Sequence, residues 1–481
     1  MTNPVRQLFG TDGIRGIAGE FPLTPESTFL IGCALGHDLT KNDLTKNDLP
    51  KNDLTKNDLT KNHLANQTRQ LRVVIGQDTR HSSQWIADRV MAGLASVGVE
   101  PHSAGVITTP GVAYLARSRG YAAGVVISAS HNPWTDNGIK VFSGDGYKLP
   151  DAREATIEKE IFSQLKRKAP VGSTGPVASL PGEAELRREY IDWLARNVKT
   201  DLRGMRVLVD CAHGAAAAEA PELFKQCGVQ AEILNASPDG KNINEGCGAL
   251  HPETLARAIS ERPAEFDLGI TFDGDADRAL FSDARGQVVN GDAVLLLAAR
   301  EMQSRNALPG LTVVATTMSN MGLEIALRNS GISMLRANVG DKYVLEQMLK
   351  TGAALGGEQS GHIIFRDGDT TTGDGLLTAL RVMQVMARYK KPLHELVGDL
   401  KVFPQTIQNV RVKEKIPFAR IPQVQSAITD AERELDGNGR VVVRYSGTEA
   451  LARVMVEAED PEKMRALTHQ IAHAIREALG A

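Results

Sequence analysis

Short apolar runs rich in β-branched residues recur along the chain, and each breaks into a small polar loop. They are LRVVIG at 71–76, GVVIS at 124–128, MRVLVD at 205–210, DLGIT at 267–271 and LTVVATT at 311–317. Such runs read as buried strands, and strands alternating with helical stretches build sheets with parallel strands, right-handed crossovers and helical cover. Beyond about residue 402 the pattern changes to VFPQTIQNVRV, a helix, VVVRYSGTEA, RVMVE and a final helix, which predicts a smaller α+β unit with a mixed or antiparallel sheet. At 481 residues the chain exceeds one core. A Gly/Pro/Ser stretch from Ala169 to Glu183 and a new cycle near Asn290 divide it. The predicted domains are 1–178, 179–286, 287–400 and 401–481, the first three α/β with mainly parallel sheets and the last α+β.

Ligands in open α/β sheets bind beyond the carboxyl ends of strands, which directs attention to the polar loops. After GVVIS come Ser130, His131 and Asn132, with Pro133 stiffening the turn. A serine beside a histidine suggests a nucleophile, although SxSH alone also fits a polar turn. FGTDGIRG at 9–16 is a tight glycine-rich loop offering Arg15 to an anion, and QDTRHSS follows LRVVIG at 77–83. TTPG at 108–111 closes the strand expected over Val99–Ile107. Asp273, Asp275 and Asp277 alternate just past a strand, and three repelling carboxylates there call for a hard divalent cation such as magnesium. An EF-hand is excluded, because its glycine and glutamate positions hold Arg278 and Ala284. GGEQSGH at 356–362 offers Glu358, Ser360 and His362 to a polyol. RYSGTE at 444–449 offers Arg444, Ser446, Gly447 and Thr448 as a phosphate cradle, without the fingerprint of a nucleotide site.

The net charge of −3 gives no general attraction for nucleic acid or an acidic membrane, so phosphate recognition must be local. Four cysteines without CxxC spacing suit a reducing compartment. The first residues lack an apolar signal core, and no later run approaches a membrane span. A cytoplasmic, soluble protein is expected.

From Asp38 to Asn62 the pentapeptide DLTKN occurs five times, with Pro50 in the third copy. On a helix its leucines step about 140° apart, and on a strand they alternate faces, so no continuous apolar stripe forms. A β-solenoid would have scarcely one coil. The expectation is a solvated insertion over 38–62, dispensable for chemistry, after a helix that opens at Thr24-Pro25 and runs through Ile31 and Leu35.

FGTDGIRG, ISASHNPWTDNGIKVF, TFDGDADR, GEQSGH and RYSGTE, in this order and spacing, closely resemble the α-D-phosphohexomutase superfamily; FGTDGIRG, TTPGVAYLAR and GEQSGH look most like its phosphoglucosamine mutase branch. The resemblance spans nearly the whole chain outside the DLTKN segment. It implies four domains around a central cleft, each contributing one loop. It makes Ser130 the phosphorylated serine, and Asp273, Asp275 and Asp277, with a phosphoserine oxygen, the magnesium ligands. Glu358 and Ser360 become sugar contacts; Arg444, Ser446, Gly447, Thr448 and Arg453 become substrate-phosphate contacts. Arg15, His131, Lys140, Arg278, Asp341 and His362 match polar active-site positions, His131, Lys140, Arg15 and His362 on the catalytic side and Arg278 and Asp341 on the binding side. The implied reaction interconverts glucosamine 6-phosphate and glucosamine 1-phosphate through a hexosamine 1,6-bisphosphate, which also primes the enzyme, in amino-sugar nucleotide synthesis for cell-wall precursors. A homodimer is compatible with it. A phosphomannomutase or phosphoglucomutase would use the same chemistry; a magnesium phosphatase or a non-catalytic sugar-phosphate sensor are the readings from other classes.

Three residues depart from the usual pattern. Ala276 stands where GDGDR has glycine, Ala450 where SGTEP has proline, and Lys342 where arginine is commoner. Alanine resists positive φ, loss of proline loosens a loop, and lysine lacks bidentate geometry.

Overall fold

The computed structural model describes residues 8–10, 12–47, 70–167, 182–366, 368, 370–446 and 450–480, with backbone only at 43–47 and 167. Gly447, Thr448, the stretch 169–181 used above as a domain boundary and the later DLTKN copies lie outside the described residues.

Among the described residues there are four sheets, one after another along the chain, and the second takes in Val288–Val289, beyond the boundary expected at 286. The first has six strands in the order Phe9–Gly10, Gly13–Ile17, Asp136–Ser143, Ala123–Ile127, Arg72–Gln77, Glu100–Val106. Its last three strands run parallel, and the others join through antiparallel pairs. The second, ordered Val288–Val289, Ala279–Asp283, Leu268–Phe272, Arg206–Asp210, Gln230–Leu234, and the third, ordered Ser333–Ala337, Thr312–Thr316, Leu355–Gly357, Ile363–Phe365, repeat this plan. Each keeps a parallel body with an antiparallel margin made by hairpins. The fourth sheet is wholly antiparallel, ordered Gln405–Arg411, Leu451–Ala458, Gly439–Tyr445, as the change of pattern predicts.

Helix starts follow their capping residues. TTPG does not merely end a strand: Thr108 accepts the N–H of Gly111 and opens helix Thr109–Ser118, with Pro110 in its first turn. Asp374 caps helix Gly375–Tyr389 in the same way. Apolar packing does not break between the second and third units. One core runs from Tyr190 and Leu194 on helix Glu183–Arg196, through Phe272 and Phe281, to Leu376 and Met383, whereas the first and fourth units keep separate cores. No helix among the described residues is long and apolar enough to cross a membrane.

The expectation of a solvated insertion beginning at residue 38 is corrected. Helix Pro25–Asn47 continues through the first two copies of the repeat. Leu39 is buried one helical turn after Leu35, on the same face, and Asp38 pairs with Arg153 of helix Asp151–Arg167. One apolar contact and one ion pair are enough to extend a helix already nucleated by its buried first turns.

Candidate active site

Two strands whose five residues are all buried, Ala123–Ile127 and Leu268–Phe272, end on the same place. Beyond the first, Ser130 is buried with φ of +54°, a left-handed conformation for an L-residue. Its N–H donates to Ser128 Oγ (2.9 Å), and its carbonyl accepts from Arg80 (2.9 Å) and from Asn244 of the second domain (3.0 Å). Its Oγ donates to Asp273 Oδ2 at 2.5 Å. Gly274 makes that approach sterically feasible, since a Cβ there would lie 2.5 Å from the Ser130 carbonyl oxygen.

Beyond the second strand, Asp273, Asp275 and Asp277 are buried, each offering an oxygen within 4.8 Å of the others. Ala276 turns the loop with φ of +54°, so alanine occupies the left-handed position that it disfavours. The Thr109 N–H donates to the Asp275 carbonyl (3.0 Å) and its hydroxyl to the Asp275 carboxylate. Burial, then the charges of Asp277 and Asp275, push the Asp273 carboxyl up to about 8. Asp275 Oδ1 and Asp277 Oδ1 have no hydrogen-bond partner among the described residues. Orphaned carboxylate oxygens and mutual repulsion are what a hard divalent cation relieves, so the donor set fits one.

The positive groups lie on the other side of this cluster. Lys140, opposite Val126 in the antiparallel pair, is buried with Nζ 2.8 Å from Asp275, 3.1 Å from Asp12 and 3.3 Å from Asp277. Asp12 also takes Arg15 and Lys148, each at 2.5 Å. Lys148 continues to Asp341 (2.5 Å), and His362 lies 3.6 Å from Asp341 and 3.5 Å from Asp277. Lys140, Asp12, Lys148, Asp341, His362 and Asp277 therefore close a ring in which carboxylates alternate with ammonium or imidazole nitrogens. Burial opposes charge at Asp12 and Lys140, but their partners prevail. Lys140, Lys148 and Arg15 hold Asp12 well below the usual carboxylate range, and Asp12, Asp275 and Asp277 hold Lys140 well above the usual amine. His362 Nε2 accepts the N–H of Gly373 (3.1 Å), leaving Nδ1 toward Asp277. His131 differs: burial, then the Arg278 and Arg15 charges, pull its ring down to about 4.

A cavity of about 360 Å³ opens against this ring. Arg15, His131, Asp277, Arg278, Asp341, Glu358 and His362 line it, together with Leu8, Gly10, Asp12, Gly13 and Gly340. Ser130, Lys140, Asp273 and Asp275 stand next to that lining through the bonds just given. Glu358 accepts the Gly340 N–H (3.0 Å), whereas Ser360 lies outside the lining with a buried hydroxyl. Among the described residues, none from the fourth domain lines the cavity. Arg444 faces Arg453 across two strands, and the Ser446 N–H donates to the Leu451 carbonyl (2.8 Å) while its own carbonyl accepts from Lys415 (2.7 Å). Lys342 is not in the cavity either: it bonds Asp151 and Glu154 of the first domain. The sequence reading missed Asp78, Arg80, Lys148 and Asn244. The signal for the first two was QDTR at a strand's carboxyl end; Asp12 was visible inside FGTDGIRG.

The chain matches the four domain models described as phosphoglucomutase/phosphomannomutase: domain I over 58–168, domain II over 188–286, domain III over 290–403 and the C-terminal domain over 408–474. It is 58% identical to a phosphoglucosamine mutase of Koribacter versatilis, covering 100% of this chain and 99% of that one. It is 48% identical to a phosphoglucosamine mutase of Solibacter usitatus, covering 99% of each. Among solved structures, a phosphoglucomutase/phosphomannomutase family protein from Burkholderia thailandensis superposes with a TM-score of 0.75 at 24% identity, covering 97% of both chains. Four matched domains in order and near-complete alignment to these relatives place the chain in the phosphoglucomutase/phosphomannomutase family.

Proposed function

We propose that the protein is a phosphoglucosamine mutase, interconverting glucosamine 6-phosphate and glucosamine 1-phosphate through phospho-Ser130 and a bound glucosamine 1,6-bisphosphate. The observation that carries the reaction is Ser130 Oγ held 2.5 Å from Asp273, among buried carboxylates and beside a cavity edged with arginines. The choice of sugar is supported by relatives that bear that name at up to 58% identity over the full chain.

The 1-hydroxyl oxygen of the sugar attacks the phosphorus of phospho-Ser130, the P–Oγ bond breaks, and Oγ keeps the electron pair. His131, held unprotonated at neutral pH, takes the hydroxyl proton and returns it to Oγ, so the step leaves no net change in protons. Arg15 and Arg278 line the same cavity and hold the sugar's phosphate and the charge on the moving group. Glu358, in the same lining, orients the sugar hydroxyls. After the bisphosphate turns over in the cleft, Oγ gives up its proton and attacks the phosphorus of the 6-phosphate, the P–O6 bond breaks, the C6 oxygen takes up the proton, and glucosamine 1-phosphate leaves. Asp273, Asp275 and Asp277, with a phosphoserine oxygen, would hold magnesium, which when bound supplies neutralising charge at the phosphoryl group. The same reading makes the partner a free sugar phosphate in the cytoplasm.

The test is mutase turnover of glucosamine 6-phosphate with magnesium and a bisphosphate primer, for wild type and Ser130→Ala. Activity in the wild type that vanishes in the variant is expected. A wild type that prefers mannose or glucose phosphate would move the substrate, and free phosphate release would move the reaction to a phosphatase.

A further inference from the structure

Resting on the reading of Ser130 as phosphoryl carrier, we propose that Arg80 is the positioning residue that aims the Ser130 oxygen. Arg80 follows strand Arg72–Gln77, and its side chain and that of its partner Asp78 are fully buried. A guanidinium has five N–H donors, and here every one meets an acceptor. Nε donates to Asp78 Oδ2 (2.8 Å). One terminal nitrogen donates to the carbonyls of Pro133 and Asp136, and the other to those of Ser130 (2.9 Å) and Asn132 (2.8 Å). Four of the acceptors are thus backbone oxygens of a single turn, so one planar group dictates the path of residues 130–136.

The same pair reaches the other side of Ser130. Asp78 Oδ2 accepts from Ser128 Oγ (2.7 Å), which itself accepts the Ser130 N–H (2.9 Å). Both peptide groups of Ser130 are therefore tied to the Asp78–Arg80 pair. Such ties are what a left-handed φ of +54° needs, because an L-residue left to itself relaxes out of that region. Asp78 neutralises the arginine, and Arg80 does not line the cavity, so its contribution is geometric. Lysine keeps the charge but has three donors and no fork, so it cannot hold four carbonyls in one plane. Arg80 touches no substrate. It sets the direction from which Oγ meets both Asp273 and the phosphoryl group.

The experiment compares wild type, Arg80→Lys, Ser128→Ala and, as a control outside the Asp78–Arg80 network, Arg153→Met, all as full-length chains. Three quantities are read: amide hydrogen exchange in peptides spanning 128–136, kcat and KM on glucosamine 6-phosphate, and phosphate on Ser130 by intact mass after incubation with glucose 1,6-bisphosphate. In Arg80→Lys, exchange should quicken in that turn alone, kcat and phosphate uptake should fall on the order of 100-fold, and KM should stay within about threefold. Arg153→Met should keep kcat. An Arg80→Lys enzyme with wild-type kcat overturns the proposal, as does one whose losses come with faster exchange throughout the chain. Should Arg80→Lys fail to fold, Ser128→Ala breaks the same network with one small deletion and carries the same expectation. A wild type that ignores amino-sugar phosphates, while Arg80→Lys still loosens only the turn, defeats the functional reading and upholds the positioning.

Discussion

Lys148 Nζ lies 2.5 Å from Asp341 Oδ2, joining the loop after strand Asp136–Ser143 to the first turn of helix Asp341–Thr351 in the third domain. Both groups are mostly buried, and Lys148 is shared with Asp12 at the same distance. Replacing Lys148 by Met leaves two carboxylates facing each other with one cation fewer. Breaking a buried pair from one side costs roughly 3 kcal/mol. The urea midpoint of Lys148→Met should fall accordingly; an unchanged midpoint would show that solvent already screens this link.

A second consequence concerns pH. Glu219 is buried beside Thr108, with one oxygen accepting the Thr108 N–H and the other unbonded, and burial pushes its carboxyl from 4.5 up to about 8. Asp374, which accepts the Tyr190 hydroxyl (2.8 Å), is pushed by burial up to about 6. Arg187 pulls Glu219 the other way only weakly, and Asp374 adds to the rise. Both folded pKa values exceed their unfolded ones, so the folded state binds the extra protons. The stability they contribute is complete below about pH 4 and is lost as pH rises through about 6 and then 8, each tenfold difference in proton affinity being worth roughly 1.4 kcal/mol. Thermal melts from about pH 5 to 9 should therefore show a steady decline, and Glu219→Gln should flatten it and raise the melting point at the alkaline end. A variant with the wild-type slope would remove Glu219 from this account.

Ala276 tests a balance of small terms. Its left-handed backbone costs about 1 kcal/mol relative to glycine, while its methyl is buried in the main core, worth about 0.8 kcal/mol. Glycine also loses more chain entropy on folding, roughly 0.5–1 kcal/mol. Ala276→Gly should therefore change the unfolding free energy by less than about 1 kcal/mol and leave turnover intact. A loss well above that would mean that the methyl, not the backbone, governs the loop.

The DLTKN segment divides at the end of its helix. Removing residues 48–62 should spare both stability and turnover. Removing 39–61 instead takes away buried Leu39 and the last turns of helix Pro25–Asn47, a loss of roughly 2–5 kcal/mol for the leucine site. Denaturation midpoints of the two deletions, compared side by side, decide it; equal midpoints would show that Leu39 and the end of helix Pro25–Asn47 add nothing to stability.

What was legible in the sequence lay in contiguous stretches. Ser130 and the three aspartates sit within a few residues of strands that announce themselves by β-branched runs, so their neighbourhood followed from strand ends alone. Arg80, Asn244 and Lys148 act on partners 50, 114 and 193 residues away, and no local pattern records such pairings. The repeat misled because a five-residue period has no apolar stripe, yet a single leucine in phase with the preceding helix sufficed. The phosphate cradle was found as a motif, but its described members Arg444, Ser446 and Arg453 lie outside the cavity lining, because a motif specifies donors and not where they sit.

The carbonyl oxygen of Ser130 is held jointly by Arg80 and Asn244, one from each of the first two domains. The Ser130 loop is in that sense common property, and neither domain can be exchanged for a homologue's without carrying its half of the grip. Chimeras assembled by swapping whole domains must match residue 80 to residue 244, however well the rest of their surfaces fit.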